Sequence, residues 1–281
     1  MNENDEQLLM NEEEFFYAEC NTLRVRMLAA AKEAGGGHVG GSFSVIDVLY
    51  YLFKYVLHLD PNKAAKSDRD RFVLSKGHSC LALYACLEKF NFLNEDEIFT
   101  FLKEDSRLAG HSEHFLLPSV EITTGSLGHG LGVCAGMALA AKKQNEAWKT
   151  ICILGDGECN EGSIWESFLF IAQHDLNNLI TIIDYNKQES LDFTKNILSI
   201  DPLAEKIRAF GLVPIEIDGH SFQEIKMALN SAKCNEKPIV IIANTVKGKG
   251  VDFMEGETKW HYRAPNDEEF KSAIHQLGVL P

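Results

Sequence analysis

With 281 residues, 45% of them hydrophobic and 24% charged, the chain can bury the core of one large α/β domain or two smaller ones, and neither a fibrous nor a disordered class fits. Lys and Arg number 27 against 41 Asp and Glu, a formal charge of −14 with no basic stripe, which argues against a nucleic-acid surface. No apolar run approaches a membrane span, and residues 1–19 are acidic and polar, so the expectation is a soluble, cytoplasmic protein in contact with neither membrane nor nucleic acid.

In chain order, an acidic lead over residues 1–20 precedes a single expected domain over 21–281. The cysteines at 20, 80, 86, 134, 152, 159 and 234 are odd in number and form no Cys-x-x-Cys, so reduced thiols are expected rather than disulfides or zinc. Apolar, β-branched runs of strand length lie at 71–74, 150–154, 179–184, 213–217 and 239–243. Between them, 130–143, 164–174 and 222–233 have helical length and period. Asn94 with Glu97, Ser221 with Glu224 and Asn266 with Glu269 fit capping boxes, and Asp201-Pro202 fits a cap followed by a first-turn proline. Near-continuous apolar strands alternating with helices are the pattern of a parallel sheet covered on both faces, so a doubly wound, mainly parallel α/β fold is expected.

In such folds ligands bind beyond the carboxyl ends of the strands. Gly35-Gly36-Gly37-His38, Ser75-Lys76-Gly77-His78, Gly110-His111, Gly125-Ser126-Leu127-Gly128 and Gly155-Asp156-Gly157 are candidate loops of this kind. The run 150–154 leads into Asp156, and the run 179–184 ends near Asn186, thirty positions on. Two strand ends would therefore each deliver an oxygen ligand. A small hard cation takes few protein oxygens and leaves positions for phosphate and water. The glycines flanking Asp156 permit close backbone approach, and a helix beginning near Glu161 aims amide donors at the same place. Together these point to a metal-bridged diphosphate site.

Gly-Asp-Gly followed some thirty residues later by Asn is similar to the diphosphate motif of thiamine diphosphate enzymes, and the wording is closest to the transketolase family. Residues 73–87 (VLSKGHSCLALYACL), 123–142 (TTGSLGHGLGVCAGMALAAK), 201–211 (DPLAEKIRAFG), 218–222 (DGHSF) and 246–255 (VKGKGVDFME) resemble it as well, and the likeness extends from about Leu23 to Phe270. What they resemble is the first, diphosphate-binding (PP) domain of that family.

Carried over motif by motif, the resemblance implies that Asp156 and Asn186 ligate Mg²⁺, with Ca²⁺ or Mn²⁺ as alternatives, together with the backbone carbonyl of Gln188. Gly157 and Asn186 would touch the diphosphate of thiamine diphosphate, and His78 and His261 would hydrogen-bond its oxygens. Gly125 and Leu127 would lie along the aminopyrimidine. Glu161 would sit near the subunit interface and couple to an acidic residue of the partner. His38, His111 and His261 would act catalytically, His38 and His111 facing carbon 2 of the ketose. The other histidines, 58, 114, 129, 174, 220 and 275, carry no assigned role. Lys247 and Lys249 fit either a phosphate contact or a solvated turn. Cys159 reads as a packing residue, and Trp148, Trp165 and Trp260 as core or interface anchors.

In the resembling family the glutamate that contacts the aminopyrimidine and the arginines that grip a sugar phosphate belong to a second domain, and here the chain reaches only Pro281 after the linker-like stretch 251–266. The resemblance thus implies the N-terminal subunit of a split transketolase, working with a separately encoded C-terminal subunit in an α₂β₂ assembly and transferring a two-carbon ketol unit from a ketose or ketose phosphate to an aldose. Lys187-Gln188-Glu189-Ser190, Tyr262-Arg263 after His261, and Gly110-His111-Ser112-Glu113 depart from the commoner pattern. They resemble split proteins of specialised sugar or surface-polysaccharide pathways, with Arg263 a candidate anion contact. Two other readings stay open: the α subunit of a 2-oxo acid dehydrogenase or decarboxylase, and a cofactor-binding relic without catalysis.

Overall fold

The five β-branched runs pair side by side, all parallel, in the computed structural model, which describes residues 3–61 and 68–279, with side chains from residue 11 onward. In chain order the elements are α1 (Glu3–Ala34), α2 (Val39–Tyr51), β1 (Arg71–Leu74), α3 (Cys80–Lys89), α4 (Gly130–Gln144), β2 (Thr150–Gly155), α5 (Gly162–Gln173), β3 (Leu179–Tyr185), α6 (Thr194–Ile197), α7 (Leu203–Ala209), β4 (Val213–Asp218), α8 (Phe222–Cys234), β5 (Ile239–Asn244) and α9 (Asp267–Leu277). The sheet order is β1-β2-β3-β5-β4, with Thr150 opposite Leu179 and Ile180 opposite Ile239. This is the expected doubly wound architecture. Among the described residues no helix is long and apolar enough to cross a membrane.

The alternation along each strand explains the two cores. Ile151, Ile153, Ile180, Ile182 and Ile241 point to one side, where they pack with α1, α2, α3, α8 and α9. Cys152, Leu154, Ile183, Val240 and Ile242 point to the other, against α4, α5 and α7. Both faces of β2, β3 and β5 are buried, so these strands are apolar at nearly every position and β-branched residues fit the pleat, whereas the edge strand β4 is only partly buried and carries Glu216 and Asp218. Helix α2 is buried along its whole length, which is why it carries no polar stripe. Helix α1 runs unbroken through residue 20, and its Phe16 and Cys20 are fully buried in the first core.

The caps differ from one another. Asn266 and Glu269 form the complete reciprocal box at the start of α9. Ser221 accepts from Glu224 N at the start of α8, but the Glu224 carboxylate accepts from Asp218 N instead of closing the box. Asn94 and Glu97 do bond, yet only a short 3₁₀ turn, Glu97–Thr100, follows. At 201–202 the cap is Pro202 itself, and Asp201 accepts from the Tyr185 hydroxyl. All seven cysteines are free, and only Cys234 is exposed.

Candidate active site

Four strand ends meet at one cavity of about 200 Å³. Its floor is a buried ion pair. Lys76, just past β1, donates through Nζ to the carboxylate of Asp184 near the end of β3 and to the carbonyl of Gly41 at 3.2 Å. Asp184 also accepts from Ser44 Oγ of α2 at 2.6 Å, from Asn186 Nδ2 at 3.2 Å and from Thr245 Oγ1 after β5. Burial alone would push the Asp184 carboxyl up; the Lys76 ammonium and these donors outweigh it and hold the group below its ordinary value. A buried pair of this kind is tolerable because Asp184 accepts from four donors and Lys76 donates to two acceptors, and it joins α2 to the ends of β1, β3 and β5.

A second buried carboxylate ties the loops. Glu158 accepts from Ser75 Oγ, from Gly128 N at 2.9 Å and from Gly155 N at 3.1 Å, fastening loop 125–128 to the ends of β1 and β2. Burial raises its pKa. That close packing explains Gly77, where a Cβ would lie 2.5 Å from Thr124 Oγ1. Gly125 has φ +148°, and a Cβ there would meet His111 Cδ2 at 3.0 Å.

Asp156 follows β2. One of its oxygens accepts from Gly157 N at 2.8 Å and the other from Lys187 N, so the two strand-end loops are linked through it. Burial, then the charge of Asp184, push the Asp156 carboxyl up to about 7. Asn186 Oδ1 accepts from Gln188 N at 3.1 Å, and the loop closes where Gln188 bridges Phe193. Gln188 Nε2 donates to the Gly256 carbonyl, while its Oε1 is buried with no hydrogen-bond partner. Among the described residues no group of three or more His, Cys, Asp or Glu is arranged to hold a metal. A buried carboxylate in no direct ion pair among the described residues, amide oxygens and an orphaned buried oxygen nevertheless form an all-oxygen donor set. That set fits a hard divalent ion completing its shell with phosphate and water.

The imidazoles form the rim. The ring of His38 lies 5.4 Å from His78, 5.8 Å from His111 and 5.2 Å from His261, centroid to centroid. Burial, followed by neighbouring positive charge, lowers His38 to about 4 and His261 to about 3, and holds His78 well below its ordinary value. All three are therefore neutral near pH 7. Lys247, beyond β5, donates from Nζ to the Glu189 carbonyl at 2.8 Å and lies 3.0 Å from His261 Nδ1. Burial, with the nearby Lys76, lowers its ammonium to about 8. An ammonium can only donate, so Nδ1 of His261 is the acceptor and Nε2 carries the ring proton.

Of the residues singled out from sequence, His78, Gly125, Leu127, Asp156, Gly157, Asn186, Gln188 and His261 line the cavity. His38 and His111 stand beside it in the ring cluster. Glu161 lies outside, exposed, at the start of α5 and against Gly128. The structure decides between the two lysines: Lys247 is buried in the cavity wall, whereas Lys249 faces Glu255 at the surface. Arg263 donates to Glu269 at 2.7 Å and stacks 4.2 Å over Trp260, so its charge is engaged within the fold. His129 caps α4 at the surface with Nδ1 3.0 Å from the Leu127 carbonyl. Burial raises the Cys159 thiol well above its ordinary value, in keeping with packing. Trp165 and Trp260 donate to the Cys159 and Phe253 carbonyls, and Trp148 stacks under Arg71. Sequence reasoning missed Lys76, Glu158 and Glu189 as cavity residues; a charged residue inside a strand-end Gly loop was the only available sign.

The model of the family described as "Transketolase, thiamine diphosphate binding domain" matches residues 17–281. An apulose-4-phosphate transketolase subunit from Actinobacillus succinogenes is 42% identical over 88% of this chain and 90% of its own length. The 6-deoxy-6-sulfo-D-fructose transketolase subunit SqwG of Clostridium sp. is 38% identical over 92% of this chain and 94% of its own. Among solved structures, transketolase from Campylobacter jejuni superposes with a TM-score of 0.89 at 32% identity, covering 95% of this chain but 43% of that one. The chain thus spans less than half the length of that transketolase. Overall fold and sequence agree, and the chain belongs to the transketolase family, as its thiamine diphosphate binding domain.

Proposed function

We propose that this chain is the diphosphate-binding subunit of a two-chain transketolase, active in an α₂β₂ assembly with a separately encoded second subunit that supplies the pyrimidine-binding half. The observation that carries this is the convergence of eight residues identified from sequence on one cavity, with its all-oxygen donor set beside neutral imidazoles. The match to proteins that are themselves named as transketolase subunits, over nine-tenths of their length, supports the division into two chains.

Asp156, Asn186 and the backbone carbonyl of Gln188 would hold Mg²⁺, and His78, Gly157, Asn186 and His261 would hold the diphosphate. When bound, thiamine diphosphate supplies a stabilised carbanion that cleaves the bond between carbons 2 and 3 of a ketose and carries the two-carbon unit to an aldehyde. This chain's residues orient the group and move protons. His38 and His111, adjacent at the rim, can each donate or accept at a sugar hydroxyl. Glu161, exposed at the start of α5, is free to meet an acidic residue of the second subunit. The two relatives are named for apulose 4-phosphate and a sulfofructose, which supports a specialised sugar as the substrate here too. Seven free cysteines suit the reducing cytoplasm.

The test is to purify the chain alone and with its cognate second subunit, then assay ketol transfer from a ketose phosphate to an aldose phosphate with thiamine diphosphate and Mg²⁺. Transfer by the pair only, and no decarboxylation of 2-oxo acids coupled to an acyl carrier, is the expected result. Full transfer by the chain alone overturns the two-chain reading.

A further inference from the structure

Tyr262 follows His261 directly, and the backbone on both sides of it is fastened. His261 N donates to the Thr258 carbonyl at 2.9 Å, and its Nδ1 faces Lys247. On the other side, Arg263 N donates to the Gly37 carbonyl at 3.1 Å, with the guanidinium on Glu269 and over the buried Trp260 ring. Held this way, the Tyr262 ring packs on Gly36: a Cβ there would lie 3.0 Å from the phenol oxygen and 3.2 Å from Cε1 and Cζ. The same ring stands edge-on to His38, centroids 4.8 Å apart at 68°. Yet the residue is 54% exposed and its hydroxyl makes no hydrogen bond among the described residues. A rigidly seated aromatic ring with an unused donor, beside an imidazole of the site, is built to touch something that arrives there.

We propose that Tyr262 is a specificity-determining residue: with Gly36 beneath it, the ring walls one side of the approach to His38 and limits the length of the aldehyde chain the site accepts. The inference rests on the ketol-transfer reading above and deepens it. The ring offers an apolar face to the C–H groups of a short polyol, its hydroxyl can donate to an oxygen of the same molecule, and a longer chain collides with it. Steric exclusion by a fixed ring acts on the ratio of kcat/KM values for two substrates, where a difference of even one methylene in a fitted pocket is worth about tenfold or more.

The experiment uses the two-subunit complex with 3-hydroxypyruvate as donor and glycolaldehyde or ribose 5-phosphate as acceptor, measuring kcat/KM for each. Tyr262→Gly is expected to raise the ribose 5-phosphate to glycolaldehyde ratio about tenfold or more, with the calorimetric Kd for ribose 5-phosphate falling in parallel. Tyr262→Phe keeps the wall and should hold the ratio within about twofold of wild type, losing only the hydroxyl contact. Gly36→Ala, which displaces the ring without removing it, should shift the ratio as well and serves if Tyr262→Gly proves unstable. An active complex whose ratio is unchanged in Tyr262→Gly and in Gly36→Ala overturns this inference alone. A wild-type complex that transfers no ketol unit to either acceptor overturns the functional reading, and this one with it.

Discussion

The floor of the cavity and its rim are built on opposite principles. On the floor, Lys76, Asp184 and Glu158 are fully buried, and their charged atoms are shared among α2 and the ends of β1, β2, β3 and β5. At the rim, His111 and Tyr262 each meet His38 through ring edges and leave polar side-chain atoms unused. A set of groups that satisfies itself holds shape before any ligand arrives; a set that does not is completed by a ligand or a second chain. On the proposed reading, the floor supplies stability and the rim chemistry and selectivity.

The contrast breaks most sharply at Asp184. Asp184→Ala leaves the Lys76 ammonium buried and unpaired, which should cost about 3–5 kcal/mol in urea unfolding; a loss below about 1 kcal/mol would show that the floor is not the stabilising element. Next in size is ligand linkage in the assembled complex. Thiamine diphosphate with Mg²⁺ at about a hundred times its Kd should stabilise the two-chain enzyme by about 2.7 kcal/mol. Asp156→Ala should remove the metal-dependent part of that gain, read as the shift in Tm with and without chelator. Glu158→Gln keeps the shape but loses acceptor capacity toward Ser75, Gly128 and Gly155, for about 1–2 kcal/mol of destabilisation. His38→Asn should move stability least, by under about 0.5 kcal/mol near pH 7, while lowering kcat of the complex about a hundredfold.

The pH dependence separates the two regions by window. His38 is lowered to about 4 from an ordinary value near 6.5, so the unfolded chain binds the proton more readily. Its contribution to stability is complete above pH 6.5 and is lost as pH falls from there toward 4. Asp184 is also lowered, but as a carboxylate its contribution persists until pH drops below the ordinary carboxylate range. Unfolding free energies at successive pH values carry this histidine decline, shared with His78 and His261 and opposed by Asp156, whose raised carboxyl takes up its proton first in the folded chain; His38→Asn should remove only its own part of the decline and leave the carboxylate one unaltered.

Much of the fold was legible. All five strands were identified within a residue or so because buried parallel strands are unbroken apolar runs, and α4, α5 and α8 within two residues. Helices α1, α2 and α3 were not picked out: α2 is buried on every side, so no polar face marks its period. At the site, His38, His78, His111, Asp156 and Asn186 announced themselves by standing in glycine-punctuated loops or at strand ends. Lys76 and Glu158 did not, because their importance lies in partners 108 and 83 positions away. A capping box shows the same limit: the pattern at 221–224 was right about the helix start, but Glu224 turned to Asp218 N.

From sequence alone came what depends on local spacing: the apolar periodicities that make a doubly wound sheet, and the Gly-Asp-Gly and Asn segments that place side-chain oxygens where strands end. Only the tertiary structure decided which charges are buried and paired, that Lys247 rather than Lys249 enters the cavity, that Arg263 pairs with Glu269 of α9, and that Tyr262 leans on Gly36 beside His38. The physical reason is that burial and pairing are properties of surfaces brought together from distant segments, and no local pattern encodes the distance between them.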